Sequence, residues 1–180
     1  KIDYEKKTVV AYGKEYPISD TDFPTVDPAE PYNLTPDEEQ VMARLQQAFL
    51  KCEKLQKHVR FLYSNGGLYK IHNSNLLYHG CMIFTERGTF KNVEIDGKKY
   101  KGAAYMRKLD QMIRDARGKQ TDGRTSAEAA SIMWYLWLSE DSPLFGKDKM
   151  TTFERYFIED KSTHKENKIP YYKLIDNEEI

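Results

Sequence analysis

A histidine followed by a glycine ends an apolar, strand-like run at residues 75–81. The run is Asn-Leu-Leu-Tyr-His-Gly-Cys, so His79 stands at the strand end and Gly80 follows it. Open α/β folds place their chemistry at strand ends, where an imidazole can bind a metal ion and a glycine permits close approach. His79 could therefore bind a metal ion, although a lone strand histidine is more often a hydrogen-bonded core residue. Asn75 could contact a phosphate oxygen, with capping of the preceding turn as the simpler role.

Three basic residues are candidates for binding a substrate phosphate. Lys147, Lys149 and Arg155 surround the predicted start of a short helix, where Thr151 and Glu154 fit a capping box. A helix N-terminus with nearby cations attracts phosphate groups. The alternative is a solvated basic loop.

Composition and charge limit the classes of protein to which the chain can belong. The 180 residues carry 28 basic and 28 acidic side chains, and a net charge of zero argues against the concentrated basic face of a nucleic-acid binder. No apolar run approaches the roughly 20 residues of a membrane span. The two cysteines, Cys52 and Cys81, suggest no disulfide framework. No signal peptide is expected, and we predict a cytoplasmic protein. Both ends of the chain are expected to be cut rather than natural.

Hydrophobic periodicity and turn residues predict an α/β chain, α+β as an isolated piece, of short hairpins and several helices. Thr35, Pro36 and Glu38 form a strong helix start, and Asp96-Gly97 is typical of a type I′ hairpin turn. The predicted segments are a hairpin and connector at 1–34, one long helix with a single buried stripe at 35–64, strands carrying His79 at 67–101, a helical segment with a basic loop at 103–160, and a polar tail at 161–180.

Two further expectations concern side chains that resemble functional groups. Trp134 and Trp137 could stack on a sugar, but their helical spacing favours core packing. Cys81 is not surrounded by a cysteine-phosphatase loop, so we predict a small buried residue.

Three stretches together resemble the bacterial class III fructose-1,6-bisphosphatases, which belong to the calcineurin-like metallophosphoesterases. They are His-Val-Arg-Phe-Leu-Tyr at 58–63, Asn-Ser-Asn-Leu-Leu-Tyr-His-Gly-Cys at 73–81, and the block that begins Ser-Pro-Leu-Phe-Gly at 142–157. The resemblance implies a metallophosphoesterase sandwich with a binuclear Mn²⁺ site, held by Asp-x-His, Gly-Asp-x-x-Asp-Arg and Gly-Asn-His elements and two later histidines. His79 matches the first of those histidines, so the resemblance implies that His79 is a metal ligand. The other elements do not occur in this sequence. The chain thus resembles an internal piece between the third and last metal elements.

The resemblance also implies a function for a longer enzyme. That enzyme would hydrolyse the 1-phosphate of fructose 1,6-bisphosphate in gluconeogenesis, by water activated at two metal ions. The expected partners are a sugar bisphosphate and the remaining parts of the longer polypeptide. Neither a nucleic acid nor a membrane is expected as a partner. No residue of this chain is predicted to be catalytic, and this chain alone is predicted to be inert.

Two alternatives stay open. One is a related metallophosphatase with another substrate, and the other is a non-catalytic helical interaction module that assembles subunits. A homo-oligomer is also open, since exposed strand edges can pair between copies.

Overall fold

The computed structural model describes residues 2–118 and 127–178, which fall into two compact units. The first unit contains residues 1–64 and 151–165, and the second contains residues 65–150 and 166–180. The predicted mixture of helices and strands is confirmed. Within the described ranges the strands form three small antiparallel sheets, and the metallophosphoesterase sandwich stays a prediction.

Seven strands and six α-helices follow one another along the described parts of the chain. They are β1 Ile2–Asp3, β2 Thr8–Ala11, β3 Lys14–Pro17, α1 Pro36–Lys51, α2 Glu53–Asn65, β4 Tyr69–His72, β5 Asn75–Tyr78, β6 Val93–Ile95, β7 Lys98–Tyr100, α3 Gly102–Gly118, α4 Ala127–Leu138, α5 Thr152–Phe157 and α6 Tyr171–Leu174, with a 3-10 helix at Lys161–His164. No helix among these is long and apolar enough to cross a membrane. Residues 119–126, within the predicted helical segment at 103–160, lie outside the described residues.

The first unit is built on an antiparallel sheet in the order β1-β2-β3. Tyr12 and Gly13 connect β2 to β3 with φ of 51° and 75°, the two positive values that a type I′ turn requires. The sheet adds one strand to the predicted hairpin. Its core brings Val9 and Ile18 together with Ile158, which follows α5.

Residues 35–64 form two helices where the sequence predicted one. Cys52, with ψ of 98°, stands between α1 and α2 in an extended conformation. Its carbonyl accepts the first bond of α2, from the Gln56 N–H at 2.9 Å, and the Gln56 side chain donates to the Phe49 carbonyl at 3.1 Å. That bond satisfies a carbonyl that the end of α1 leaves without a helical partner. The predicted capping box between Thr35 and Glu38 is confirmed, but the predicted buried stripe is wrong, since neither helix has a buried residue.

The second unit packs two hairpins and several loops around α3 and α4. Asn73 and Ser74, with φ of 49° and 62°, turn β4 into β5, and the predicted type I′ turn at Asp96-Gly97 joins β6 to β7. Ile169, in the segment predicted as a polar tail, is buried in this core, because its apolar side chain meets the other core residues. The buried core consists of Cys81, Ile83, Val93, Tyr105, Leu109, Ala116, Ile132, Leu136 and Ile169.

Candidate functional site

His79 lies one residue beyond β5, at the strand end where the sequence predicted it. Its side chain is exposed, whereas Cys81, two residues later, is fully buried. No hydrogen-bond partner of the His79 ring is found within residues 2–118 and 127–178. An exposed imidazole without a partner has a nitrogen lone pair available for a ligand.

Gly80 is packed directly against the backbone of another segment. A Cβ added at Gly80 would lie 2.4 Å from the Pro143 carbonyl oxygen, a separation that real Cβ atoms do not adopt. The same oxygen accepts the Cys81 N–H at 2.9 Å. The close approach that the glycine permits is therefore to Pro143, a partner the sequence did not reveal.

Cys81 confirms the expectation of a small buried residue. Its sulfur lies 3.6 Å from the Ser142 carbonyl oxygen and 3.5 Å from that of Pro143. Burial raises the pKa of the Cys81 thiol to about 11, so the thiol is protonated at neutral pH and is a poor nucleophile. These contacts give Cys81 a packing role beside His79.

Ser142 fixes the loop that carries the Pro143 carbonyl. Both residues are fully buried. The Ser142 hydroxyl donates to the Leu136 carbonyl at 2.5 Å and accepts the Leu144 N–H at 3.1 Å. The atom that faces Gly80 is therefore a backbone oxygen in a buried, hydrogen-bonded part of the loop rather than the end of a flexible side chain.

A partly buried polar network anchors the same loop one residue earlier. The Tyr105 hydroxyl donates to the Asp141 carbonyl at 2.7 Å and shares a 2.5 Å hydrogen bond with Tyr135. Lys91 forms a 2.7 Å ion pair with the Asp141 carboxylate. Burial raises the pKa of Tyr105, which keeps its hydroxyl protonated and able to donate.

Tyr78, on the other side of His79, is held by an aromatic cluster. Its hydroxyl shares a 2.7 Å hydrogen bond with the Tyr171 hydroxyl, at the start of α6. Tyr171 in turn stacks on Phe84 at a centroid distance of 6.2 Å, and Phe84 stacks on Phe90 at 4.9 Å. Both neighbours of His79 are thus tied to other segments of the second unit.

Lys147 is already paired with a carboxylate. Its ammonium nitrogen lies 2.6 Å from a Glu166 carboxylate oxygen, and the Glu166 side chain is only 15% exposed. Lys149, half-buried, lies in the same unit and helps to lower the pKa of Asp148. Burial alone would raise the pKa of Asp148, but hydrogen bonds from Asn167 outweigh it. The loop containing both lysines is therefore held by contacts with Glu166 and Asn167 rather than purely solvated.

Arg155 belongs to the first unit, unlike the two lysines, so the three predicted cations do not share one unit. Its guanidinium donates to the Thr151 hydroxyl at 3.0 Å and to the His164 carbonyl at 2.9 Å. The predicted capping box at Thr151 is wrong, because Thr151 makes no side-chain cap. Its hydroxyl instead donates to the His164 carbonyl at 3.1 Å.

Asn75 takes part in the hairpin turn. Its side-chain amide donates to the Asn73 carbonyl at 3.1 Å. The turn role is therefore present in the structure, and contact with a phosphate stays a prediction.

Trp134 and Trp137 do not pack in the core, because they lie on a face of α4 that points to solvent. Their side chains are 71% and 57% exposed. Leu136, between them, is buried instead and supplies the carbonyl that binds Ser142.

A metal ion would find one suitable ligand here but not a complete site. The exposed His79 imidazole fits a coordination role for a transition metal. Within residues 2–118 and 127–178, no group of three or more His, Cys, Asp or Glu side chains could hold a metal ion. A binuclear centre therefore needs ligands beyond these residues.

Comparison with known proteins gives a match over the whole chain. The family model described as Firmicute fructose-1,6-bisphosphatase matches residues 1–180. A fructose-1,6-bisphosphatase class 3 of Alkaliphilus metalliredigens is 52% identical over 182 residues, covering 100% of this chain and 27% of the relative. Proteins with the same description from Bacteroides fragilis and Listeria monocytogenes are 51% and 46% identical, covering 100% and 99% of this chain and again 27% of each relative.

The chain thus spans about a quarter of the length of the curated relatives it matches. No solved structure matches it.

Proposed function

The chain belongs to the Firmicute fructose-1,6-bisphosphatase family, and from that membership we propose that it forms part of a cytoplasmic enzyme that hydrolyses the 1-phosphate of fructose 1,6-bisphosphate. The observation that carries the proposal is the family match over all 180 residues, with relatives near half identity. The product would be fructose 6-phosphate, formed in gluconeogenesis. This chain alone would be inert, since the described residues offer one metal ligand rather than a full set.

His79 is the residue of this chain that we assign to the metal centre, with Mn²⁺ as the metal. Two bound metal ions would lower the pKa of a water molecule and stabilise charge on the transferred phosphate. The contribution of this chain is to hold one imidazole at the end of β5, exposed and free of competing hydrogen bonds. Carboxylate and imidazole ligands from outside the described residues would complete the site.

Lys147, Lys149 and Arg155, with Asn75, are the candidates for contacting substrate phosphates. A lysine ammonium offers three donors and a positive charge, which suits a phosphate that does not react. Lys147 is more exposed than Lys149, the other candidate lysine. To bind a phosphate, Lys147 must give up its ion pair with Glu166.

The test uses a full-length chimera, in which this chain replaces the 182 residues it matches in the Alkaliphilus relative. Phosphate release from fructose 1,6-bisphosphate is measured with added Mn²⁺, for the chimera and its His79→Ala variant, beside the unmodified relative. We expect activity in the chimera and a loss of at least a hundredfold in the variant. A chimera that folds, by circular dichroism, but releases no phosphate contradicts the proposed function.

Two further comparisons sharpen that result. A panel of sugar phosphates distinguishes this substrate from that of a related metallophosphatase. His58→Ala, on α2, is the matched control for loss of an imidazole, and it should retain full activity.

A second candidate function, self-association through α1 and α2, is favoured by the exposed apolar side chains of these helices. Val41, Leu45 and Phe49 are 52%, 49% and 64% exposed and recur at helical spacing. Such a stripe suits a second copy of the chain, whose helix could cover it. Sedimentation of this chain should then show a dimer that Leu45→Glu dissociates and Lys57→Glu does not. A monomer at all concentrations excludes this function.

A further inference from the structure

The backbone on both sides of His79 is fixed by segments far away in the sequence. On one side, the Pro143 carbonyl oxygen accepts the Cys81 N–H and fills the space that a side chain at Gly80 would need. On the other side, Tyr78 shares its hydroxyl hydrogen bond with Tyr171. His79 between them is exposed. The His79 ring is therefore accessible to a ligand, whereas the backbone on both sides of it is held by these contacts.

The contact between Gly80 and the Pro143 carbonyl oxygen has little room to rearrange. The atom that faces Gly80 is a backbone oxygen, and its residue is a buried proline with a restricted φ. The preceding Ser142 is held by two hydrogen bonds of its buried hydroxyl. An alanine at position 80 would have to move from 2.4 Å to an ordinary contact of about 3.4 Å, so the backbones would separate by about 1 Å.

We propose that Gly80 and Tyr171 are positioning residues for His79. The inference rests on the proposed function, in which His79 is a metal ligand. A metal site tolerates displacement of a ligand by only about 0.5 Å. A shift of about 1 Å at Gly80 would therefore weaken metal binding without touching the imidazole itself.

The experiment measures Mn²⁺ binding in the full-length chimera directly, from the electron paramagnetic resonance signal of free Mn²⁺. Gly80→Ala should raise the Mn²⁺ concentration for half-saturation at least tenfold. Tyr171→Phe, which removes one hydroxyl, should raise it two- to fivefold. Gly67→Ala is the matched control, because its added Cβ would meet its nearest atom at 3.4 Å, and it should bind Mn²⁺ as the parent does.

A displaced ligand and a folding defect give different results. With a displaced ligand, saturating Mn²⁺ restores the turnover of Gly80→Ala to within a few-fold of the parent. With a folding defect, turnover stays low at every Mn²⁺ concentration, by the fraction of protein that fails to fold. That result would overturn the proposal.

The packing itself is measured in this chain alone by amide hydrogen exchange. The Cys81 amide should exchange at least tenfold faster in Gly80→Ala than in the parent, because its bond to Pro143 is lost. An unchanged exchange rate of the Cys81 amide would contradict the proposed close contact between Gly80 and Pro143.

The inference and the proposed function fail in different ways. If His79→Ala loses Mn²⁺ binding while Gly80→Ala binds Mn²⁺ as tightly as the parent does, only the inference about positioning is contradicted. If His79→Ala binds Mn²⁺ and turns over as the parent does, the role of His79 in the proposed function falls as well.

Discussion

The ammonium nitrogen of Lys147 lies 2.6 Å from a carboxylate oxygen of Glu166. Glu166 is mostly shielded from solvent, and Lys147 is about half exposed. The pair therefore has an accessible positive end and a covered negative end. In the proposed function a phosphate that binds Lys147 would compete with this carboxylate, so Glu166 would set how strongly the lysine holds the phosphate.

Substitution at this pair should change substrate binding in opposite directions. In the chimera, Lys147→Ala should raise KM for fructose 1,6-bisphosphate by about tenfold to a hundredfold, because a charge-assisted hydrogen bond contributes about 1.5–3 kcal/mol. Glu166→Gln should lower KM, because it removes the competing charge. Lys173→Ala breaks an exposed pair with Glu86 and serves as the control, with KM unchanged. Equal KM values for all three variants would exclude Lys147 from the phosphate site.

Ser142→Ala should destabilise this chain by about 1–3 kcal/mol. The substitution leaves the Leu136 carbonyl and the Leu144 N–H without their partner in a buried environment. Urea unfolding followed by circular dichroism measures the change, and the exposed Ser64→Ala serves as the control. A free energy of unfolding equal to that of the parent would show that water replaces the hydroxyl.

The two cysteines should react at very different rates with a thiol reagent at pH 8. Cys52 is exposed between α1 and α2, whereas Cys81 is buried and its pKa is raised to about 11. One thiol should react in a fast phase and the second only on unfolding, and Cys52→Ser should remove the fast phase. Two equally fast thiols would contradict the burial of Cys81.

The raised pKa of Cys81 also predicts a loss of stability at high pH. A thiol whose folded pKa lies above its unfolded value stabilises the fold below the unfolded pKa, near 9, and loses that contribution as the pH rises toward 11. The free energy of unfolding should therefore fall between pH 9 and 11, and it should fall less in Cys81→Ala. The same slope in both proteins would assign the loss to other groups.

The capping box of α1 should make this helix sensitive to acid. Hydrogen bonds from Thr35, the backbone N–H first, lower the pKa of Glu38 below its ordinary value of 4.5. Stability from this group is present above 4.5 and is lost as the pH falls through the lowered pKa. The helical circular-dichroism signal should decrease on acidification, and Glu38→Gln should reduce that decrease. Glu39→Gln, which leaves the box intact, should retain the acid sensitivity of the parent.

Local features of the fold were predictable from the sequence because they depend on residues near one another. The capping box joins Thr35 to Glu38, and the turn at Asp96-Gly97 needs only two residues that accept positive φ. The position of His79 after a strand is local in the same way. The break at Cys52 was missed because apolar spacing runs through it without a glycine or proline.

The resemblance in three short stretches likewise identified the family, which the match over residues 1–180 confirms. The candidate site was predictable only in its residue types. His79, Lys147 and Arg155 were singled out by chemistry, but several contacts that hold the surrounding loops join residues far apart in the chain. The Lys147 and Glu166 pair spans 19 residues, and the contact of Cys81 with Pro143 spans 62. Such pairs form only when packing closes long loops, and a sequence pattern of period two or 3.6 carries no record of them.

The sequence by itself therefore determined local features such as the capping box of α1, the turn at Asp96-Gly97 and the histidine at a strand end, since short-range hydrogen bonding and side-chain spacing decide these. The tertiary structure alone decided that Gly80 faces the Pro143 carbonyl and that Tyr78 is tied to Tyr171. It also decided that Ile169 is buried rather than part of a polar tail. The physical reason is that burial and close packing depend on which distant surfaces meet, and only the folded chain brings those surfaces together.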